Sequence, residues 1–155
     1  LDAQPLHTVK IQGQSTAAPE WYVPYQGQKL QGQALLDQIA IWLAAGIIEP
    51  SHAEALNAAV AHPEWFDLSD RNMVLFGAAS EAGPLTWLAK WKANIIAVDL
   101  PNSRVWNKIL STVQQGNATL YAPSTTQLAA DTPFALYGFA AEKLPLDKLI
   151  AKFKK

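Results

Sequence analysis

The order of apolar runs between Asn72 and Ala122 limits the possible folds of this chain more than any other feature. Met73-Val74-Leu75-Phe76 is a short continuous apolar run ending at Gly77, as expected of a strand covered on both faces. A loop of small residues follows, Gly77-Ala78-Ala79-Ser80-Glu81-Ala82-Gly83. Pro84 then suits the first turn of a helix, where a missing amide hydrogen costs least. Leu85, Leu88 and Ala89 give that helix an apolar stripe. Asn94-Ile95-Ile96-Ala97-Val98-Asp99 reads as a second strand, closed by an acid and a turn at Pro101-Asn102. Ser103 is placed to cap a helix running to about Gln115, with Val105, Ile109, Leu110 and Val113 turned inward. Gly116-Asn117 ends it, and Ala118-Thr119-Leu120-Tyr121-Ala122 makes a third strand before Pro123. Strands alternating with helices predict a parallel sheet joined by right-handed crossovers.

The flanks read differently. Residues 1–33 are rich in Gln, Gly and Pro and suggest an extended polar arm, with Trp21, Tyr22 and Tyr25 docking part of it. Leu35, Leu36, Ile39, Trp42 and Leu43 then recur at spacings of three and four, which predicts a helix over about 34–45, stopped at Gly46. Ser51 followed by Glu54 has the spacing of a capping box at the start of a second helix, about 52–61, which stops before Pro63. An antiparallel helical pair therefore precedes the alternating unit. At the other end, Leu146, Leu149, Ile150 and Phe153 mark a final amphipathic helix that could cover the sheet.

Bulk properties exclude several functions. The formal net charge is −1, and the 12 basic residues are scattered, apart from Lys152, Lys154 and Lys155 at the end. Such a chain exerts little long-range pull on a phosphate backbone, so nucleic acid is not expected as a partner. With no cysteine there is no disulfide, thiolate metal site or thiol nucleophile. The longest apolar run, Ile39 to Ile48, is too short for a hydrocarbon core of ~30 Å, which takes about 20 helical residues. A soluble protein of the cytoplasm or an organelle matrix is expected, and any targeting segment would lie outside a chain that begins at Leu1. At 155 residues the chain has the size of one ordinary domain, short for a complete Rossmann domain with a separate catalytic domain.

Strand, glycine loop, helix, strand, acid: over residues 73–122 this order resembles the dinucleotide-binding half of the NAD(P)-dependent dehydrogenases and reductases. The resemblance implies a Rossmann-like α/β fold. In that fold a glycine lets a pyrophosphate approach the backbone, a helix amino terminus offers free amides, and an acid accepts from a ribose diol. Gly77 takes the tight-turn position, with Ala79 and Ser80 next to it along the expected pyrophosphate path, and Gly83 matches the later glycine that lets helix and strand pack closely. Asp99, 22 positions after Gly77, matches the ribose acid and implies NAD rather than NADP, because its charge repels an additional phosphate. Val98 and Leu100 would flank an adenine.

The chain also departs from that pattern. Its middle glycine is missing, and Ala79, Ser80 and Glu81 occupy the region. Two like unit charges 4 Å apart repel by about 1 kcal/mol in water and about 4 kcal/mol at an effective dielectric of 20, so Glu81 would weaken a pyrophosphate complex unless it turns away. In reductases of this type a catalytic tyrosine and lysine, four positions apart, follow the glycine loop. Here Tyr25 and Lys29 have that spacing but precede it. His7, His52 and His62 do not combine locally into a metal site, and no nucleophile–histidine–acid arrangement is legible. There are six tryptophans (Trp21, Trp42, Trp65, Trp87, Trp91 and Trp106); Trp87 and Trp91, one helical turn apart, read first as helix packing, with an exposed aromatic contact stripe as the alternative.

These readings predict a three-layer α/β sandwich on a short parallel sheet in order 3-2-1, with residues 34–155 as one Rossmann-like domain behind the arm. It would comprise the helical pair 34–62, the core 72–122 and a helical cover 123–155. Two functions stay open. One is an NAD-binding protein related to oxidoreductases. The other is a non-catalytic Rossmann-like subunit that uses its arm and tryptophans to assemble with partner proteins or with itself.

Overall fold

The computed structural model describes residues 7–100 and 102–124. The chain divides into two compact units, Leu1–Ala17 with Ser69–Lys155, and Ala18–Leu68. The helical cover expected over 123–155, with its helix near Leu146 to Phe153, lies outside the described residues beyond Ser124. No helix among the described residues is long and apolar enough to cross a membrane.

The first unit is an α/β fold on a mixed sheet. Its strands are β1 (His7–Gln12), β4 (Asn72–Phe76), β5 (Asn94–Val98) and β6 (Thr119–Ser124), in the order β1-β6-β5-β4. β4, β5 and β6 run parallel, and β1 pairs antiparallel with β6, His7 facing Ser124 and Gln12 facing Thr119. The short, purely parallel sheet in order 3-2-1 is therefore corrected. The "arm" contributes a strand of its own, in which Val9 and Ile11 are buried and Thr8, Lys10 and Gln12 are exposed. β6 also extends through Pro123. The Thr119 amide donates toward the β5 side, to the Ala93 carbonyl, so alternation turns residue 123 the same way. The β5–β6 ladder has already ended at Tyr121, so the missing proline donor breaks no bond there.

Among the described residues the helices of this unit lie on one face of the sheet, and the three-layer expectation rests on the segment beyond Ser124. Going from β4 to β5 to β6 the chain always steps in one direction across the sheet, and right-handed crossovers then put α3 (Leu85–Leu88) and α4 (Ser103–Gln114) on the same face. That face carries the buried side chains of Val9, Ile11, Ile95, Ala97, Leu120 and Ala122, and the helices answer with Leu85, Leu88, Trp106, Ile109, Leu110 and Val113. The opposite face carries Ile96, which is buried, beside Val74 and Phe76, which are 45% and 60% exposed.

α4 is capped by Asn102, not by Ser103: the Asn102 Oδ1 accepts from the amides of Arg104 and Val105 at 2.9 and 3.4 Å. α3 is only one turn long. To continue it, the Ala89 carbonyl would have to accept from Ala93. It accepts instead from the amides of Asn117 and Ala118, at 2.8 and 3.2 Å. Gly116 makes this approach possible, since a β-carbon there would land on the Ala89 carbonyl. The Asn117 side chain completes the junction, accepting from the Lys92 amide at 2.7 Å and donating to the Ala17 carbonyl at 2.9 Å.

The second unit is a β-hairpin with a helical pair. β2 (Val23–Tyr25) and β3 (Gln28–Leu30) are joined by Gln26-Gly27, both at positive φ, as a two-residue hairpin turn requires. α1 (Gly32–Ala44) and α2 (Pro50–Ala61) follow, then a 3-10 turn at Pro63–Phe66. Leu30, Leu35, Ile39, Trp42 and Ala53 form the core, with Trp21, Val23, Tyr25, Leu56 and Val60 packed against it. The capping box is corrected: Pro50 occupies the first turn of α2, Ser51 is already helical, and no side chain caps this end. Gly46, at φ 67°, stops α1 as expected.

Candidate functional site

β4 and β5 pair in parallel with Phe76 opposite Val98, so Gly77 and Asp99 leave the sheet side by side at its carboxyl edge. The Gly77 amide makes the last rung, donating to the Val98 carbonyl at 2.8 Å. Gly77 sits at φ 65°, where a side chain is disfavoured, and the chain folds back there, with the Ser80 amide donating to the Gly77 carbonyl at 2.9 Å. This turn brings Ala79 to Asp99, whose Oδ2 accepts from the Ala79 amide at 2.8 Å while Oδ1 accepts from the Leu100 amide at 2.8 Å. Lys108, on the exposed side of α4, donates from Nζ to the Ala79 carbonyl at 3.0 Å. Trp106 is buried, and its indole nitrogen donates to the Leu100 carbonyl at 3.1 Å, which fixes the segment beyond Asp99.

The residues singled out in the sequence, Gly77, Ala79, Ser80, Gly83 and Asp99, thus share one edge, and Asp99 and Ala79 are in direct contact. Ser80, Glu81 and Ala82 are exposed, so the Glu81 carboxylate belongs to the solvent side of the loop. Gly83 donates to the Ser80 carbonyl at 3.1 Å, and a β-carbon on it would come within 3.2 Å of that oxygen. Its role is thus tight packing within the loop. Of the two flanking positions, Val98 is half-buried and Leu100 is 70% exposed.

Two parts of the expected phosphate cradle are altered. A one-turn α3 has too few aligned peptide dipoles to contribute much positive potential. The amides of Ala79, Ser80 and Gly83 already have acceptors in Asp99 or the loop itself. Asp99 adds acceptor capacity at this edge. Each Asp99 oxygen takes one amide and, with a second lone pair, can take a hydroxyl as well. Lys108 adds one positive charge next to the loop. Lys108 has no local signature in the sequence, because its role depends on where the Gly77 turn places the Ala79 carbonyl.

Other candidates separate. Tyr25 and Lys29 lie on the two strands of the hairpin, in the 18–68 unit. The Lys29 ammonium stands over the Tyr22 ring, 4.5 Å from its centroid, and Tyr25 meets Trp42 edge-on. His62 stacks on Trp65 and contacts Glu64 Oε1 at 2.8 Å; backbone hydrogen bonding and this imidazole hold the Glu64 carboxyl below its ordinary range. No group of three or more metal-ligating side chains occurs among the described residues. Of the six tryptophans, Trp106 is core, Trp42 and Trp21 belong to the hairpin–helix packing, Trp87 and Trp91 pair with each other, and Trp65 is 55% exposed.

No protein-family model matches the chain, and no curated protein or solved structure matches it.

Proposed function

We propose that the carboxyl edge of the parallel strands binds a nucleotide of the NAD type, with the ribose diol on Asp99, the adenine against Leu100 and Val98, and the remaining chain of the ligand over Gly77–Gly83. The contact between Asp99 Oδ2 and the Ala79 amide carries this reading, because it brings the acid and the loop to one point at a strand-to-helix edge. A ribose hydroxyl entering there accepts from the amide and donates to the carboxylate, replacing one hydrogen bond by two. The single-turn α3 and the engaged loop amides argue for modest affinity, carried more by the nucleoside than by the pyrophosphate. The reading assigns nucleotide binding, with no catalytic residue. Calorimetric titration with NADH and NADPH tests it: NADH binds more tightly, and Asp99→Ala weakens it by about 1–3 kcal/mol.

The second reading, a non-catalytic subunit that assembles with other proteins, draws on the exposure of Trp65 at 55% and Ile47 at 65% in the 18–68 unit. It draws nothing from Trp21, Tyr25 or Trp106, which are spent on packing. A chain that binds no nucleotide and takes up a partner at Trp65 would favour it over the first.

A further inference from the structure

The two edges of the mixed sheet differ in chemistry. β1, at one edge, alternates buried and exposed residues and carries Lys10 at its middle, a charge that discourages a second strand from pairing there. β4, at the other edge, is Asn72-Met73-Val74-Leu75-Phe76, with no charge and no proline. The direction of its backbone groups follows from the bonds at its two ends. The Arg71 carbonyl accepts from the Asn94 amide, and the Gly77 amide donates to the Val98 carbonyl, so odd-numbered residues face β5. The amides and carbonyls of Asn72, Val74 and Phe76 therefore face outward, and among the described residues they take no partner. The side chains of Val74 and Phe76 are 45% and 60% exposed on one face of the sheet, and Leu100, 70% exposed, follows β5 beside them.

We propose that β4 pairs with β4 of a second copy of the chain about a two-fold axis, joining two four-stranded sheets into one. The strand is suited to this by self-complementarity. With the axis at Val74, the two Val74 residues exchange both amide–carbonyl bonds, and Asn72 of each copy faces Phe76 of the other, again with outward-facing groups on both sides. The exposed valines meet across the axis, and each is flanked by a Phe76, so one apolar strip crosses the junction. Such an isologous contact closes on itself and stops at two copies, and among the described residues the other edge of this sheet is guarded by Lys10. The inference is independent of nucleotide binding.

The test uses the full chain. Sedimentation equilibrium from low to high micromolar concentration is combined with amide hydrogen exchange on the same samples. The expected result is a monomer–dimer equilibrium in which the amides of Asn72, Val74 and Phe76 exchange about tenfold or more slowly as dimer forms. Val74→Lys, a change at an exposed position, is expected to leave the melting transition in place and return the mass to that of a monomer. The chain has no cysteine, so Val74→Cys gives a second reading: on oxidation it forms a covalent dimer. A monomer at every concentration overturns the proposal, as does a dimer whose β4 amides stay unprotected. Protection of those amides that does not change with concentration also overturns it, since the edge is then held from within one chain.

Discussion

Asp99 and Ala79, on different loops, are joined by a 2.8 Å hydrogen bond from the Ala79 amide to the Asp99 carboxylate. The same carboxylate accepts from Leu100 at 2.8 Å, and Lys108 holds the Ala79 carbonyl at 3.0 Å. The acid therefore organises the carboxyl edge before any ligand arrives. Asp99→Ala leaves two amides without their acceptor, that of Ala79 in a half-buried setting, and is expected to lower unfolding stability by about 1–2 kcal/mol in urea titration. No change in the urea midpoint would mean that solvent replaces the carboxylate at no cost.

Two glycines are expected to respond differently to alanine. At Gly116 a methyl group would collide with the Ala89 backbone, and the two segments would have to separate. Overpacking of this kind costs about 2–3 kcal/mol or prevents folding. At Gly77 nothing lies within 4 Å of a built β-carbon, and only the φ of 65° is unfavourable. Gly77→Ala is expected to cost about 1–2 kcal/mol. The ratio of the two effects, by thermal unfolding, checks the junction.

The cap assignment separates two adjacent residues. Asn102→Ala removes the side chain that accepts from Arg104 and Val105, and is expected to cost about 1 kcal/mol. Ser103→Ala, inside α4, is expected to be nearly neutral. The opposite ranking in denaturant unfolding would show that Ser103 is the cap.

The strands 72–76 and 94–98 and the helix after Asp99 were legible in the sequence because each is set by a local pattern: an apolar run, or apolar residues at helical spacing. The convergence of Gly77 and Asp99 was legible for the same reason, since parallel strands bring their carboxyl ends to one edge. β1 was missed although His7, Val9 and Ile11 alternate with Thr8, Lys10 and Gln12, because six residues among Gln, Gly and Pro read as arm until β6 supplies a partner. The early end of α3 has no marker in the sequence: the Lys90 and Trp91 amides turn to the Trp87 and Leu88 carbonyls, Lys92 takes a positive φ, and Asn117 and Ala118, distant in sequence, take the Ala89 carbonyl. Helix starts were off by one or two positions: Asn102 caps α4 in place of its neighbour Ser103, and α2 begins after Glu49, with Pro50 already in its first turn, ahead of Ser51.

Glu81 is exposed on the loop and bears the charge least compatible with a pyrophosphate. Glu81→Gln is expected to strengthen NADH binding by about 1 kcal/mol at low salt, with the gain shrinking as salt screens the site. An affinity that does not change between the two proteins at low salt would place the phosphates away from this loop.

The central claim, a nucleotide held at the Asp99–Ala79 edge, is tested most directly by isothermal titration of the full chain with NADH, in parallel with Asp99→Ala. Saturable binding of NADH, tighter than NADPH and weakened by about 1–3 kcal/mol in Asp99→Ala, is the predicted result. Heats indistinguishable from dilution with both nucleotides, or equal affinity in the wild type and Asp99→Ala, would contradict it.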